Sequence, residues 1–288
     1  MRIDRPIGTL LLLWPTLAAL WMASSGIPDT RLLVLFILGT FAMRSAGCVI
    51  NDIVDRNLDP YVERTRNRVL ARRAISLNEA IILAGVLLAI AAAIAALMQP
   101  ATLKWAVGGA VLAAIYPFAK RHTYMPQVIL GGAFSWGIVL AFIEVQGSVT
   151  SPGWILFVGS ILWIVAYDTF YAMVDRNDDI QIGVKSTAVL FGDGAAVIIA
   201  VLQASTLFAW YLVGENMNYH YPYFVALAAI AGLFVWQQQT VRLQPSLHGD
   251  EATLQRAAYL SAFTRNVWVG FVLFIGLVAE YVLHSPAA

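Results

Sequence analysis

Seven of the 17 acidic residues in this 288-residue chain fall in two short clusters. The first, NDIVDRNLD over residues 51–59, holds Asn51, Asp52, Asp55 and Asp59. The second, YDTFYAMVDRNDD over residues 167–179, holds Asp168, Asp175, Asp178 and Asp179. The tetrapeptide VDRN stands in both, 120 residues apart, each time with another aspartate four residues after its own. Side chains spaced by three or four residues share a helix face. The spacing therefore predicts one stripe of Asn51, Asp55 and Asp59 and another of Asp168, Tyr171, Asp175 and Asp179. Like-charged carboxylates on one face repel and demand a positive partner. Oxygen donors without histidine or cysteine suit a hard cation, and Mg2+ fits best when its other ligands are water and phosphate oxygens. Aspartates that merely meet water at a helix end explain one such cluster well; two with the same VDRN-x-D spacing point to one shared site. Asp178 retains the solvated reading, and Asp193, within FGDG, reads as a turn residue.

Basic residues follow each cluster. ERTRNRVLARR brings Arg64, Arg66, Arg68, Arg72 and Arg73 after the first, GVKST brings Lys185 after the second, and YPFAKR brings Lys120 and Arg121 from a third place. Phosphate oxygens held by a cation need such partners, so Arg56, Arg64, Lys120, Arg121 and Lys185 are candidate diphosphate contacts. Attraction of loops to anionic headgroups accounts for many of the same residues. Arg44, in FAMRSAG, sits about two turns before Asp52, within the apolar region, where an arginine requires an anion. A protein aspartate ranks ahead of a substrate carboxylate as its expected partner. Tyr167 and Tyr171 flank the second cluster, and their rings offer faces that tolerate a developing carbocation.

The elements that position these groups are membrane helices. The chain is 60% hydrophobic and 12% charged, with a mean hydropathy of +0.73; soluble domains average about 25% charged. A net charge of +1 gives no reason to expect a nucleic-acid partner. A single cysteine, Cys48, excludes an internal disulfide, and the four scattered histidines show no metal-ligand spacing. Apolar runs predict nine spanning helices, over 7–23, 31–50, 80–98, 103–119, 127–144, 153–173, 195–213, 221–238 and 266–283. Gly131 and Gly132 in the fifth are expected to admit a close neighbour. A short surface helix, with turns at Gln244-Pro245-Ser246 and His248-Gly249, is expected within 239–265. Sixteen of the 18 Lys and Arg residues fall on the side of the N-terminus and the even-numbered connections. The positive-inside rule then places the N-terminus and the two motif loops, 51–79 and 174–194, in the cytoplasm and the C-terminus in the periplasm.

Two other chemistries use clustered aspartates in a bilayer. Divalent-cation transporters more often break their helices and place charge at the midplane. Phosphotransferases that join two alcohols through a nucleotide-linked phosphate carry a glycine- and arginine-spaced motif not found in this sequence.

NDIVDRNLD resembles the NDxxDxxxD motif of the UbiA-type intramembrane aromatic prenyltransferases, and YDTFYAMVDRNDD with IGVKSTA resembles their YDxxYAxxDxxxD motif with its GxKST extension. RPIGTLLLLWPTLAALW, MRSAGCVINDIVDR and YPFAKRHTYMPQ are similar to the bacterial 4-hydroxybenzoate polyprenyltransferases of ubiquinone biosynthesis. The likeness runs from about residue 3 to residue 282. It implies one all-α UbiA-type membrane domain over 1–288, a bundle of nine transmembrane helices around a central cavity, in the bacterial inner membrane with its active site toward the cytoplasm. It implies Mg2+ held by Asn51, Asp55, Asp175 and Asp179, with Asp52, Asp59 and Asp168 in support. It implies transfer of a polyprenyl group from polyprenyl diphosphate to the ring carbon ortho to the hydroxyl of 4-hydroxybenzoate. Arg56, Arg64, Lys120, Arg121 and Lys185 would hold or sense the diphosphate; on the reading of the residues themselves, Tyr167, Tyr171 and, if no aspartate claims it, Arg44 are the candidates to face the aromatic substrate. One departure stands out: where the family reads N-R-P-L-x-x-G, this chain reads Asn67-Arg68-Val69-Leu70-Ala71-Arg72-Arg73, without the proline or the glycine.

Overall fold

The computed structural model describes residues 6–242 and 250–284. The described residues form helices and turns and no strand. In chain order the helices are α1 (Ile7–Ala23), α2 (Thr30–Asp55), α3 (Leu77–Ala96), α4 (Pro100–His122), α5 (Pro126–Gln146) and α6 (Ser151–Ile182). A short α7 (Thr187–Phe191) leads through a 3-10 turn into α8 (Ala195–Met217), followed by α9 (Tyr221–Arg242), α10 (Asp250–Thr264) and α11 (Asn266–His284). Eight stretches are long and apolar enough to cross a membrane, with α7–α8 and α10–α11 each counting as one. The apolar helix α1 has 17 residues. At 1.5 Å per residue it reaches about 26 Å, a little under the roughly 30 Å of a hydrocarbon core.

The spanning helices contact one another in a closed ring that follows the chain: α1, α2, α3, α4, α5, α6, α8, α9, α11 and back to α1. Consecutive α3 and α4 touch least within this ring. The packing of α1 on α5 cuts across it. On one side of that contact the space is filled by aromatic side chains, with Trp163, Trp210 and Tyr223 wholly buried. Two of their polar atoms are placed: Trp163 Nε1 donates to Asn266 Oδ1 at 2.8 Å and the Tyr223 hydroxyl to the Trp210 carbonyl at 2.8 Å, whereas Trp210 Nε1 is buried without a hydrogen-bond partner. On the other side, between α1, α2, α3, α4, α5 and α6, the ring encloses a cavity. Outward faces are apolar, with Phe41, Ile82, Val86, Val107, Val197 and Phe208 exposed. Such a surface requires lipid, because water would leave this area of hydrocarbon unburied.

Between helices surrounded by lipid, close packing replaces hydrophobic expulsion as the adhesive. Gly131 shows how: a Cβ there would lie 3.0 Å from Ile161 Cγ2 and 3.3 Å from the Ile161 backbone, so α5 and α6 meet main chain to main chain. At Gly132 the nearest atom is Leu112 Cδ1 at 3.5 Å, an ordinary contact.

Both motif-bearing helices run past their expected ends. Helix α2 continues to Asp55 and α6 to Ile182, so the two VDRN segments begin on helix rather than in loops starting at 51 and 174. Helix α6 ends where Gly183, at φ +72°, donates its N–H to the Asp179 carbonyl, a left-handed termination natural to glycine. Helix α2 stops short of Asp59, which lies in a 3-10 turn, Asp59–Tyr61. The expected stripe of Asn51, Asp55 and Asp59 is therefore broken after its second member, whereas Asp168, Tyr171, Asp175 and Asp179 all share α6. Within the polar stretch 239–265, α9 reaches Arg242 and α10 occupies Asp250–Thr264. The turns expected at residues 244–249 lie outside the described residues.

The Gly131 contact gives a test. Gly131→Val is expected to destabilise the protein by about 1–3 kcal/mol through overpacking, read as a lower thermal midpoint in detergent, while Gly132→Ala is expected to leave the midpoint nearly unchanged.

Candidate active site

The last turns of α2, α4 and α6 converge at one end of the bundle. Helix α2 delivers Asn51 and Asp55, α4 delivers Lys120, and α6 delivers Asp168, Tyr171, Asp175 and Asp179; the segment after α2 delivers Asp59 and Arg64. All line a cavity of about 1030 Å³, together with Arg44, Tyr167 and Lys185. Away from the charged end its wall is apolar, with Leu35, Phe36, Leu88, Ala95 and Leu140 among the lining residues. Leu103 and Val107 of α4 line it too and are 40% and 61% exposed.

The two central carboxylates are buried, Asp55 at 2% and Asp175 at 8% exposure, and each has a cation. Lys120 forms an ion pair with Asp55. Arg64 grips Asp175 with Nε at 3.1 and 3.0 Å from its two oxygens and with Nη2, and its Nη1 donates to the Tyr171 hydroxyl. Burial acts to lower the Arg64 pKa, but Tyr171 and Asp175 outweigh it and raise the net value. Asn51 Nδ2 donates to Asp55 Oδ2 at 3.0 Å, and Asp55 Oδ1, also buried, has no hydrogen-bond partner. An orphaned carboxylate oxygen among amide and carboxylate oxygens, with no thiolate or imidazole in the set, fits a hard divalent cation.

Arg68 holds the turn below. Its Nη1 lies 2.9 Å from both oxygens of Asp59 and 3.2 Å from Asp52. Burial pushes the Asp59 carboxyl above the ordinary aspartate range, against the pull of Arg68, and the charges of Asp55 and Asp52 add to the rise. The GVKST segment is tied down in turn. The Lys185 N–H donates to the Lys120 carbonyl at 3.0 Å, Ser186 caps α7 by accepting from Val189 N, and Thr187 N donates to Gln127 Oε1 at 3.3 Å. Helix α10 covers this end: Arg256 pairs with Glu63, and with Asp178 at 3.6 Å, while Glu63 N donates to Asp178 Oδ2 at 3.2 Å.

Two expected contacts are corrected. Arg56 and Arg121 are exposed and do not line the cavity. Their guanidiniums cap the end of α2, Arg56 donating to the Ile53 carbonyl at 3.1 Å and Arg121 to the Val54 carbonyl at 2.9 Å. The last carbonyls of a helix lack internal partners, and cations there meet both that need and the helix dipole. Asp52 also lies off the cavity wall, paired with Arg68. Arg44 departs from expectation differently. Among the described residues no carboxylate forms a direct ion pair with it, although its charge acts on Asp168 across the cavity wall; it lies against Gly8, where any Cβ would collide with the guanidinium, and 5.4 Å from the Phe134 ring centroid. Asp193 sits in the turn Gly192–Gly194 and pairs with Arg176 at 3.0 Å. Arg68, Gln127 and Arg256 were not singled out in the sequence. Arg68 is one of several arginines alike in type, and Arg256 is distant along the chain.

A model described as the UbiA prenyltransferase family matches residues 12–263. The chain belongs to this family. It is 48% identical over 280 residues to a 4-hydroxybenzoate octaprenyltransferase of Colwellia psychrerythraea, covering 97% of this chain and 94% of that one. To a protein of the same name from Pseudomonas aeruginosa it is 44% identical over 284 residues, covering 99% and 93%. Its fold resembles an apo UbiA homolog from Aeropyrum pernix, with a TM-score of 0.80 at 24% identity, covering 97% and 99% of the chains. A UbiA homolog from Archaeoglobus fulgidus bound to GPP and Mg2+ matches with a TM-score of 0.68 at 18% identity, covering 95% and 98%. These structural likenesses establish the fold. Against the UbiA pattern N-R-P-L-x-x-G, the glycine position is held by Arg73, and Arg73 adopts φ +57°. The chain thus makes a left-handed turn here without the residue that makes it easy.

Two substitutions probe this segment. Arg73→Gly is expected to stabilise the protein by about 1 kcal/mol by relieving a left-handed arginine, less glycine's extra freedom when unfolded; denaturant unfolding in detergent measures it. Arg68→Ala strips a buried carboxylate of its counter-ion and is expected to cost about 3–5 kcal/mol at neutral pH. Folded Asp59 holds its proton more tightly than unfolded aspartate, so it favours the fold at acid pH and loses that contribution as pH rises through its raised pKa. The Arg68→Ala deficit should therefore shrink near pH of about 4, as read by unfolding midpoints across a pH series.

Proposed function

We propose that the chain transfers a polyprenyl group from polyprenyl diphosphate to the ring carbon ortho to the hydroxyl of 4-hydroxybenzoate, releasing diphosphate, in ubiquinone biosynthesis. The observation that carries this reading is one cavity with Asn51, Asp55, Asp175 and Asp179 at its charged end and an apolar wall beyond. Such a shape suits a molecule with a diphosphate head and a hydrocarbon tail. Relatives bearing the name of this reaction, at 48% and 44% identity over nearly the whole chain, support it.

Asn51, Asp55, Asp175 and Asp179 would hold Mg2+, with Asp59 and Asp168 beside them. When bound, the ion supplies Lewis-acid stabilisation of negative charge on the departing diphosphate. Lys120 and Arg64 now neutralise Asp55 and Asp175; once those carboxylates have another counter-charge, the two cations and Lys185 are available to the phosphate oxygens. The allylic C–O bond then breaks heterolytically, its electron pair leaving with the diphosphate. The enclosing helices keep water from the carbocation, and its charge is accommodated by the Tyr167 ring and by the face of Tyr171, which Arg64 covers at 4.3 Å until it turns to the phosphate. Arg44, on the cavity wall, faces the benzoate carboxylate. The phenol oxygen activates the ortho carbon, which attacks the cation; the ring proton passes to a base not engaged with Mg2+, either Asp168 or the released diphosphate.

The same reading takes α1 as a ninth span and the whole of 1–288 as one UbiA-type domain in the bacterial inner membrane. The positive-inside bias supports a cytoplasmic N-terminus and active site and a periplasmic C-terminus.

Asp55→Asn and Asp175→Asn are each expected to abolish Mg2+-dependent prenylation of 4-hydroxybenzoate in isolated membranes while the protein still inserts. Product at the unmodified level from a chain carrying both changes would overturn the assignment. Arg44→Ala is expected to raise KM for 4-hydroxybenzoate by about tenfold or more, as loss of a charged hydrogen bond of about 1.5–3 kcal/mol implies, leaving KM for the prenyl diphosphate unchanged.

A further inference from the structure

At the end of the bundle opposite the aspartates, three side chains from distant segments meet. His220 precedes α9, and Glu280 and His284 occupy the last turn and a half of α11. No local spacing announces the group, since His220 and Glu280 are 60 residues apart. Their candidate ligand atoms all lie within 4.8 Å of one another. The imidazoles of His220 and His284 stack with centroids 4.1 Å apart and planes at 9°.

Glu280 is 3% exposed, at a place where an unpaired charge is costly. One of its oxygens is accounted for: Oε1 takes the His220 N–H at 2.8 Å and lies 2.8 Å from His220 Nδ1. Its Oε2 is buried without a hydrogen-bond partner, and so is Nδ1 of His284, which lies 3.8 Å from Oε1. Glu144, a second buried glutamate at this end, shows the ordinary structural arrangement. Its Oε2 accepts from Gln99 N at 2.9 Å and from the Thr102 hydroxyl at 2.5 Å. The Glu280 group is different in leaving both an oxygen and a ring nitrogen unmatched at one point.

We propose that His220, Glu280 and His284 form a site for a divalent transition-metal ion of the zinc class, which clamps the end of α11 to the connection between α8 and α9. Two imidazoles and a carboxylate form a donor set that such ions prefer over Mg2+. Ligand atoms each about 2 Å from a shared ion lie within about 4 Å of one another, so the set closes once the two imidazoles turn out of their parallel stack and aim a ring nitrogen each at one point. The ion satisfies Glu280 Oε2 and His284 Nδ1 together, and three protein ligands leave a position for water. The 19 residues of α11 place this site about 28 Å along the helix from its start beside the reaction cavity, so it serves stability and not the transfer step.

The test uses the full chain without a histidine tag, purified in detergent, stripped with chelator and titrated with Co2+. A visible ligand-field band that saturates at one ion per chain and is displaced by Zn2+ is expected. It should persist in the Asp55→Asn, Asp175→Asn double variant and disappear in His284→Ala. Because His284 stands in the final turn of α11, its replacement is expected to leave prenyl transfer intact, which certifies the fold; His284→Gln, keeping the side-chain bulk, should lose the band as well. Zn2+ should raise the thermal midpoint of the unmodified protein and not that of His284→Ala. A band unchanged by His284→Ala and His284→Gln, or one abolished by the aspartate changes, would overturn the proposal.

Discussion

Aspartates buried side by side at the ends of membrane helices can persist only against compensating positive charge, and this requirement organises one whole end of the molecule. Lys120 meets Asp55, Arg64 meets Asp175, and Arg68 meets Asp52 and Asp59. Each pairing fixes something beyond itself. Through Lys120 the end of α4 is held to α2; through Arg64 and Arg68 the segment after α2 is folded back over the cavity; through Arg256, paired with Glu63 and Asp178, α10 is laid across that segment. Breaking a buried pair by removing one partner costs far more than the pair contributes as a whole. The loop conformation is therefore set by charge balance around the aspartates, and a left-handed Arg73 can be carried where the family pattern has glycine.

The other half of the architecture answers to packing. Small residues bring α5 onto α6 at Gly131, and the aromatic cluster around Trp163 and Trp210 fills the side of the ring away from the cavity. The result is a bundle solid on one side of the α1–α5 contact and hollow on the other. A cavity between helices needs walls that do not collapse, and the filled side holds those walls apart by anchoring α1, α5 and α6 from behind.

How much of this could be read from residues alone depended on distance along the chain. The two VDRN segments were readable because their spacing is local, and α6 carries Asp168, Tyr171, Asp175 and Asp179 on one helix as that spacing requires. The same arithmetic failed at Asp59, because helical spacing holds only while the helix continues, and α2 ends at Asp55. Arg56 and Arg121 have the right charge and lie beside the right residues, yet free carbonyls at the end of α2 claim them. Arg64 and Arg68 cannot be told from Arg66 or Arg72 by composition; only the fold decides which reaches a carboxylate. The histidines show the limit most clearly, since His220 and His284 looked unrelated until the packing of α9 against α11 brought them together.

The joining of a charged end to an apolar wall in one cavity bears on the space in which encounters are counted. A pocket reached through aqueous solution samples ligands per volume of water. A pocket reached through hydrocarbon samples them per area of bilayer, in two dimensions, where a long-tailed molecule is already concentrated and aligned with its head at the interface. A polar partner small enough for water would arrive instead at the charged end. A cavity reached in both ways would join two solvents, and the occupancy of its two ends would respond to different concentrations, one set by the composition of the membrane and the other by that of the aqueous phase.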